Sequence, residues 1–135
     1  EGRLEVAGAT LDPASVRRPT YIVSAVEDHI VPWASAYQTS QLLSGENNRF
    51  VLSTSGHIAA IVNPPSPKAK HWTNSDLPPD HEDWLAGADL HDGTWWEDWS
   101  TWIAERAGPM VAAPVHLGSE AHPPIGDAPG VYVLG

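Results

Sequence analysis

Two residues of this chain have types and spacing that could do chemistry, Asp28 and His57. A histidine acting as general base needs a partner that fixes its tautomer and stabilises the imidazolium, and a carboxylate does both. Each of the two follows a short apolar run: Thr20-Tyr21-Ile22-Val23-Ser24-Ala25-Val26 before Asp28, and Phe50-Val51-Leu52 before His57. Spacing alone leaves a second reading open, with Asp28 as a helix cap and His57 as a loop histidine. His29, beside the acid, reads either as a site-lining residue or as a hydrogen-bonded structural one. Ser55 and Gly56 shape the turn before His57, glycine permitting backbone angles that other residues avoid. Asn63, at the head of Asn63-Pro64-Pro65, is a candidate to line a substrate passage, although a Pro-rich loop after a strand is more often plain architecture. No metal is expected, since His81-Glu82 lacks the second histidine of a His-Glu-x-x-His helix and no other pair has specific ligand spacing.

The elements that must position these residues follow from pattern. Residues 1–19 mix small, charged and Pro residues with no sustained period and read as a lead-in. The run at 20–26 is short, rich in β-branched and aromatic residues and does not alternate, as expected of a strand covered on both faces. Pro32 suits a first helical turn, Ala34 to Leu43 tolerates helix, and Gly45 signals its end. Strand, helix and strand within residues 20–64 make a βαβ unit, and a parallel crossover brings Asp28 and His57 to one sheet edge, where ligands and chemistry sit in open α/β sheets. Residues 65–108 read as a loop excursion broken by prolines, followed by helices over Asp80 to Ala88 and Thr94 to Arg106. In the second helix Trp95, Trp99 and Trp102 share one face, which predicts core packing and leaves Trp96 as a surface contact. Residues 109–135 form a Pro-rich tail whose Val131-Tyr132-Val133 predicts an edge strand or a segment docked on the body.

Composition narrows the classes. The 135 residues carry 7 Lys+Arg against 17 Asp+Glu, a formal charge of −10, which argues against nucleic acid or an anionic membrane as main partner. No run approaches the roughly 18 apolar residues of a membrane span, and the acidic start is unlike a signal peptide. The absence of cysteine removes disulfides, thiolate zinc sites and any cysteine nucleophile within the chain. A first residue of Glu, with the single Met at Met110, is what a processed product or part of something longer shows.

The local words carry more than the spacing. Glu27-Asp28-His29-Ile30-Val31-Pro32-Trp33 and Ser55-Gly56-His57-Ile58-Ala59-Ala60-Ile61-Val62-Asn63-Pro64-Pro65 resemble the C-terminal part of polyhydroxyalkanoate synthases, most closely the class I enzymes. Asp83-Trp84-Leu85-Ala86-Gly87-Ala88, Gly93-Thr94-Trp95-Trp96-Glu97-Asp98-Trp99 and Ala128-Pro129-Gly130-Val131-Tyr132-Val133 extend the resemblance from about Pro19 to the end. It implies an α/β chain that is the C-terminal portion of an α/β-hydrolase fold: last parallel strands with their crossover helix, then Trp-rich helices and tail, all one catalytic domain completed upstream. It also implies polymerisation of 3-hydroxyacyl groups from their coenzyme A thioesters, with Asp28 as acid and His57 as base of a Cys-His-Asp triad. No cofactor is implied beyond the coenzyme A of the substrate itself. The implied partners are the acyl-CoA, the polyester chain, the upstream part of the synthase and a second copy in a homodimer, in a bacterial cytoplasm at the granule surface.

The departure from the family pattern is the nucleophile. It belongs to a Gly-x-Cys-x-Gly elbow that precedes the acid, and neither that elbow nor a Gly-x-Ser-x-Gly substitute is present; Ala60 stands where the family often has Gly. The isolated chain is therefore expected to be inactive, and poorly stable because a small remnant exposes strand edges that a full sheet covers. Two rivals remain at this level: part of another α/β hydrolase such as an esterase, or a non-catalytic remnant or granule-associated module.

Overall fold

A computed structural model describes residues 4–62 and 64–134. The chain opens with a hairpin of β1 (Leu4–Val6) and β2 (Ala9–Leu11). Its turn residues Ala7 and Gly8 lie at φ 51° and 79°, the paired positive angles of a tight two-residue hairpin turn. The lead-in thus holds strands that its mixed composition hid, although Leu4 and Val6 alternate as strand residues do. A 3-10 turn at Pro13–Ser15, capped by the Asp12 carboxylate, leads on to the body.

The body is a mixed sheet. Among the described residues it contains β3 (Tyr21–Ala25), β4 (Arg49–Ser53), β5 (Lys70–Thr73) and β6 (Asp89–Asp92), in that spatial order. β3 and β4 run parallel, joined through helix α1 (Trp33–Leu42), as the βαβ reading expects. Gly45 follows α1 at a close approach: a Cβ there would stand 2.2 Å from the Arg18 carbonyl oxygen, so only glycine fits. β5 and β6 add antiparallel strands where a loop excursion was expected. The single-turn helix α2 (Ala59–Val62) lies between β4 and β5, and helix α3 (His81–Ala86) between β5 and β6. The Asp80 side chain caps α3 by accepting from the N–H groups of Glu82 and Asp83.

Strand periodicity divides the sheet into two faces. On one, Phe50 and Leu52 meet Tyr37 of α1 and Trp84 of α3, all four buried, with Ile22, Trp33 and Trp72 packed against them. Edge-to-face contacts bring the rings of Tyr37 and Phe50, and of Phe50 and Trp84, to 5.0 Å. The opposite face carries Tyr21 and Arg49, paired in register, and receives helix α4 (Trp96–Ala107). There the Asp98 carboxylate takes the Tyr21 hydroxyl at 2.6 Å and the Arg49 guanidinium through two nitrogens, Nε at 2.7 Å.

The tryptophan stripe is only partly internal. Trp95 is buried at the start of α4, but Trp99 and Trp102 are half-buried, as is Trp96, which stacks on Trp95 at 4.5 Å. The short sheet offers too little surface to cover the whole helix. Beyond Gly108, at φ 79°, the tail is exposed throughout and ends in a 3-10 turn at Tyr132–Leu134. Among the described residues it forms no edge strand, and every residue from 109 to 134 stays exposed rather than entering the core.

Candidate functional site

The site lies past the carboxyl ends of β3 and β4. Parallel pairing continues beyond the strands: the Val26 N–H donates to the Ser53 carbonyl at 2.9 Å and the Glu27 N–H to the Ser55 carbonyl at 3.1 Å. These bonds tie the turn that carries Asp28 to the turn that carries His57. The unusual backbone falls at Ser55, φ 82°, and not at Gly56, where an added Cβ would meet only the Glu27 carbonyl at an ordinary 3.6 Å.

Asp28 is fully engaged. Its Oδ1 accepts from the backbone N–H groups of Ile30 at 3.0 Å and Val31 at 2.9 Å, and its Oδ2 lies 2.8 Å from His57 Nδ1. The Val31 N–H, together with the His57 ring and the Ile30 N–H, holds the carboxyl below its ordinary range despite partial desolvation. The Asp28 side chain is 9% exposed and that of His57 40%, so the acid is sheltered while the imidazole reaches outward. An ionised Asp28 fixes the Nδ1–H tautomer and leaves Nε2 as the basic nitrogen.

Beside the pair is a cleft of about 220 Å³, lined by Asp28 and His57, the apolar Val31, Ala36 and Ile61, and Ser24 and Ala25 of β3. Around it Ile30, Ile58 and Val62 are more than half exposed, an apolar rim on the two turns that carry the pair. His29 is exposed on the Asp28 turn and does not line this cleft. Asn63 lies outside the described residues. The βαβ reading brings Asp28 and His57 to one sheet edge, but it does not reveal that the Ile30 and Val31 amides cradle the acid. The available signal was the tendency of Asp to bond the backbone N–H groups that follow it in a turn.

No metal cluster of three or more His, Cys, Asp or Glu side chains occurs among the described residues, and no described helix is long and apolar enough to cross a membrane.

No family model matches the chain. Curated relatives do. The poly(3-hydroxyalkanoate) polymerase subunit PhaC of Cupriavidus necator is 50% identical over 133 residues, which cover 98% of this chain and 22% of that protein. Poly(3-hydroxyalkanoate) polymerase 2 of Ectopseudomonas oleovorans is 44% identical over 132 residues, 97% of this chain and 23% of that protein. The poly(3-hydroxyalkanoate) polymerase of Methylorubrum extorquens is 38% identical over 135 residues, 98% of this chain and 22% of that protein. The chain thus spans less than a quarter of the length of these relatives.

Proposed function

We propose, from the premise that the chain is homologous to the C-terminal region of the poly(3-hydroxyalkanoate) polymerases, that it supplies the acid and base of a polymerase active site on an α/β-hydrolase fold whose nucleophile lies outside it. The observation that carries the reading is the 2.8 Å contact between Asp28 Oδ2 and His57 Nδ1 at the carboxyl ends of adjacent parallel strands. The chain has no cysteine, so a thiol must come from elsewhere in the assembled enzyme.

In this reading His57 Nε2 takes the proton of that thiol, and the thiolate attacks the thioester carbonyl of a 3-hydroxyacyl-CoA. The carbon–sulfur bond to coenzyme A breaks, the proton returns through His57 to the departing CoA thiolate, and an acyl-enzyme remains. In the next step a 3-hydroxyl group loses its proton and its oxygen attacks the acyl-enzyme, forming an ester bond and releasing the enzyme thiol. The Asp28 side chain is 9% exposed, with Oδ1 held by two amides and Oδ2 by the imidazole, whereas that of His57 reaches outward at 40%, which favours His57 Nε2 as the base for both deprotonations. The apolar walls of the cleft suit the methylene chain of a hydroxyacyl unit. The finer assignments belong to the same reading: a class I enzyme, a single catalytic domain with residues 20–64 carrying acid and base, a homodimer, and work at the granule surface in the cytoplasm.

The test is a chimera in which this chain replaces the matching segment of the Cupriavidus necator polymerase. CoA release from 3-hydroxybutyryl-CoA is expected to survive the exchange. His57→Ala is expected to lower it by about 10⁴-fold and Asp28→Asn by about 10²- to 10⁴-fold, as for other base and orienting residues of triads. Release within tenfold of the parent chimera by His57→Ala would sink the assignment.

A further inference from the structure

We propose that Trp95 is a positioning residue for His57: its buried indole N–H holds the Ala60 carbonyl and thereby fixes the single helical turn that presents the imidazole. The inference rests on the reading of His57 as the base. The bond is 2.7 Å long and joins residues that are 6% and 7% exposed.

α2 needs such an anchor. It has four residues, and its bonds from Ala60 N–H to the Gly56 carbonyl and from Val62 N–H to the Ile58 carbonyl make one turn around the residue that does the chemistry. Isolated helices shorter than about 12 residues do not hold themselves in water, and their last carbonyls lack intrahelical partners. Packing does not substitute for the bond, because a cavity of about 130 Å³ lies against Ala59 and Ala60, lined by Ser53, Thr54 and Thr94. The anchor itself is firm. Trp95 begins α4, stacks on Trp96 at 4.5 Å and leans on Tyr21 of β3 at 6.2 Å. Nor is this bond a default of buried tryptophan: Trp84 is fully buried, yet its Nε1 has no partner. Losing the same N–H at the two positions therefore separates a directional anchor from ring packing.

The experiment uses the chimera with the Cupriavidus necator polymerase, ¹⁵N-labelled at alanine, histidine and tryptophan, with Trp95→Phe and Trp84→Phe compared with the parent chimera. With the imidazole neutral, Trp95→Phe is expected to speed exchange of the Ala60 amide at least tenfold and to move the His57 ring nitrogens from one tautomer toward the average of two. Trp84→Phe is expected to leave both within twofold. Both readouts within twofold of the parent in Trp95→Phe would overturn the inference, as would equal changes in the two variants. If Trp95→Phe does not fold, the parent decides: exchange of the Trp95 indole proton at least tenfold slower than a free indole supports the anchor, and exchange at the free rate overturns it. In the chimera Trp95→Phe is expected to lower kcat about tenfold at unchanged KM. Loosening of the turn together with an active His57→Ala chimera would remove the catalytic reading and leave the anchor standing.

Discussion

The two faces of the central sheet are held by different physics. On one, Tyr37, Phe50, Leu52 and Trp84 are buried to 1% exposure or less, and they cohere through area and ring contact, with the Trp84 Nε1 left unpaired. On the other, α4 is fastened through directed bonds: Asp98 to Tyr21 and Arg49, and the Trp95 indole to Ala60. Apolar cohesion is strong and tolerant of small shifts, whereas hydrogen bonds are individually modest and fix position. The Asp28–His57 pair belongs to neither face but to the turns past the ends of β3 and β4. In the proposed reading the aromatic side supplies the stability of those turns and the polar side their aim.

The largest effect that can break this contrast is expected at Phe50. Phe50→Ala empties the centre of the three-ring cluster and is expected to cost about 3–5 kcal/mol, the range for deleting a buried phenyl group. In a small domain that is most or all of the folding free energy, so chemical denaturation is expected to lose its cooperative transition. A cost under about 1 kcal/mol would show that the aromatic face is not what holds the sheet.

Asp98→Asn comes next. It keeps the shape of the side chain but removes the charge that Arg49 and Tyr21 both address, and an expected cost of about 2 kcal/mol follows from bonds to a charged, half-buried acceptor. Burial pushes the Asp98 carboxyl up, but the bonds from Arg49 and Tyr21 outweigh it and hold the carboxyl below its ordinary 3.8. Burial and the Asp98 contact push the Tyr21 hydroxyl well above its ordinary range, so it stays a donor at every working pH. Because the folded carboxyl is the stronger acid, the unfolded chain binds more protons, and stability rises with pH through this window. The contribution is complete above about pH 4 and drains away as pH falls through the depressed folded value. Melting curves between pH 5 and 2 are expected to show a smaller acid loss in Asp98→Asn than in the parent. Equal slopes would assign the acid sensitivity to other carboxylates, Asp28 among them.

How much of this was legible in the sequence differs with the physics as well. β3, α1 and β4 were readable because a doubly covered parallel pair needs continuous apolar runs, and the topology then brings Asp28 and His57 together. β5 and β6 were not. Lys70-His71-Trp72-Thr73 and Asp89-Leu90-His91-Asp92 are polar stretches whose place in the sheet is set by backbone pairing, and β6 is an edge where charge is useful rather than disruptive. The helical period of Trp95, Trp99 and Trp102 predicts a shared face but not how much sheet there is to cover it. It also says nothing of whether an indole N–H meets an acceptor, which depends on the distant Ala60. The Pro-rich tail misled in the opposite direction: apolar residues such as Val131, Tyr132 and Val133 promise docking, but the described chain offers them no covered seat.

The smallest expected effect sharpens the contrast by repeating its chemistry in water. Lys70 and Asp92 form an ion pair at 3.1 Å across β5 and β6, but their side chains are 50% and 86% exposed, against 31% and 20% for Arg49 and Asp98. An exposed pair gains little over hydration and loses rotamer freedom, so Asp92→Asn is expected to change stability by less than about 0.5 kcal/mol. Salt is expected to reduce even that, since exposed charges are screened within about 10 Å at ordinary ionic strength. The same Asp→Asn exchange thus separates the two sites by several-fold in cost, measured by thermal unfolding at low and high salt. Were Asp92→Asn to cost as much as Asp98→Asn, burial would not be what gives the α4 clamp its strength, and its fixing of α4 would have to come from pairing geometry alone.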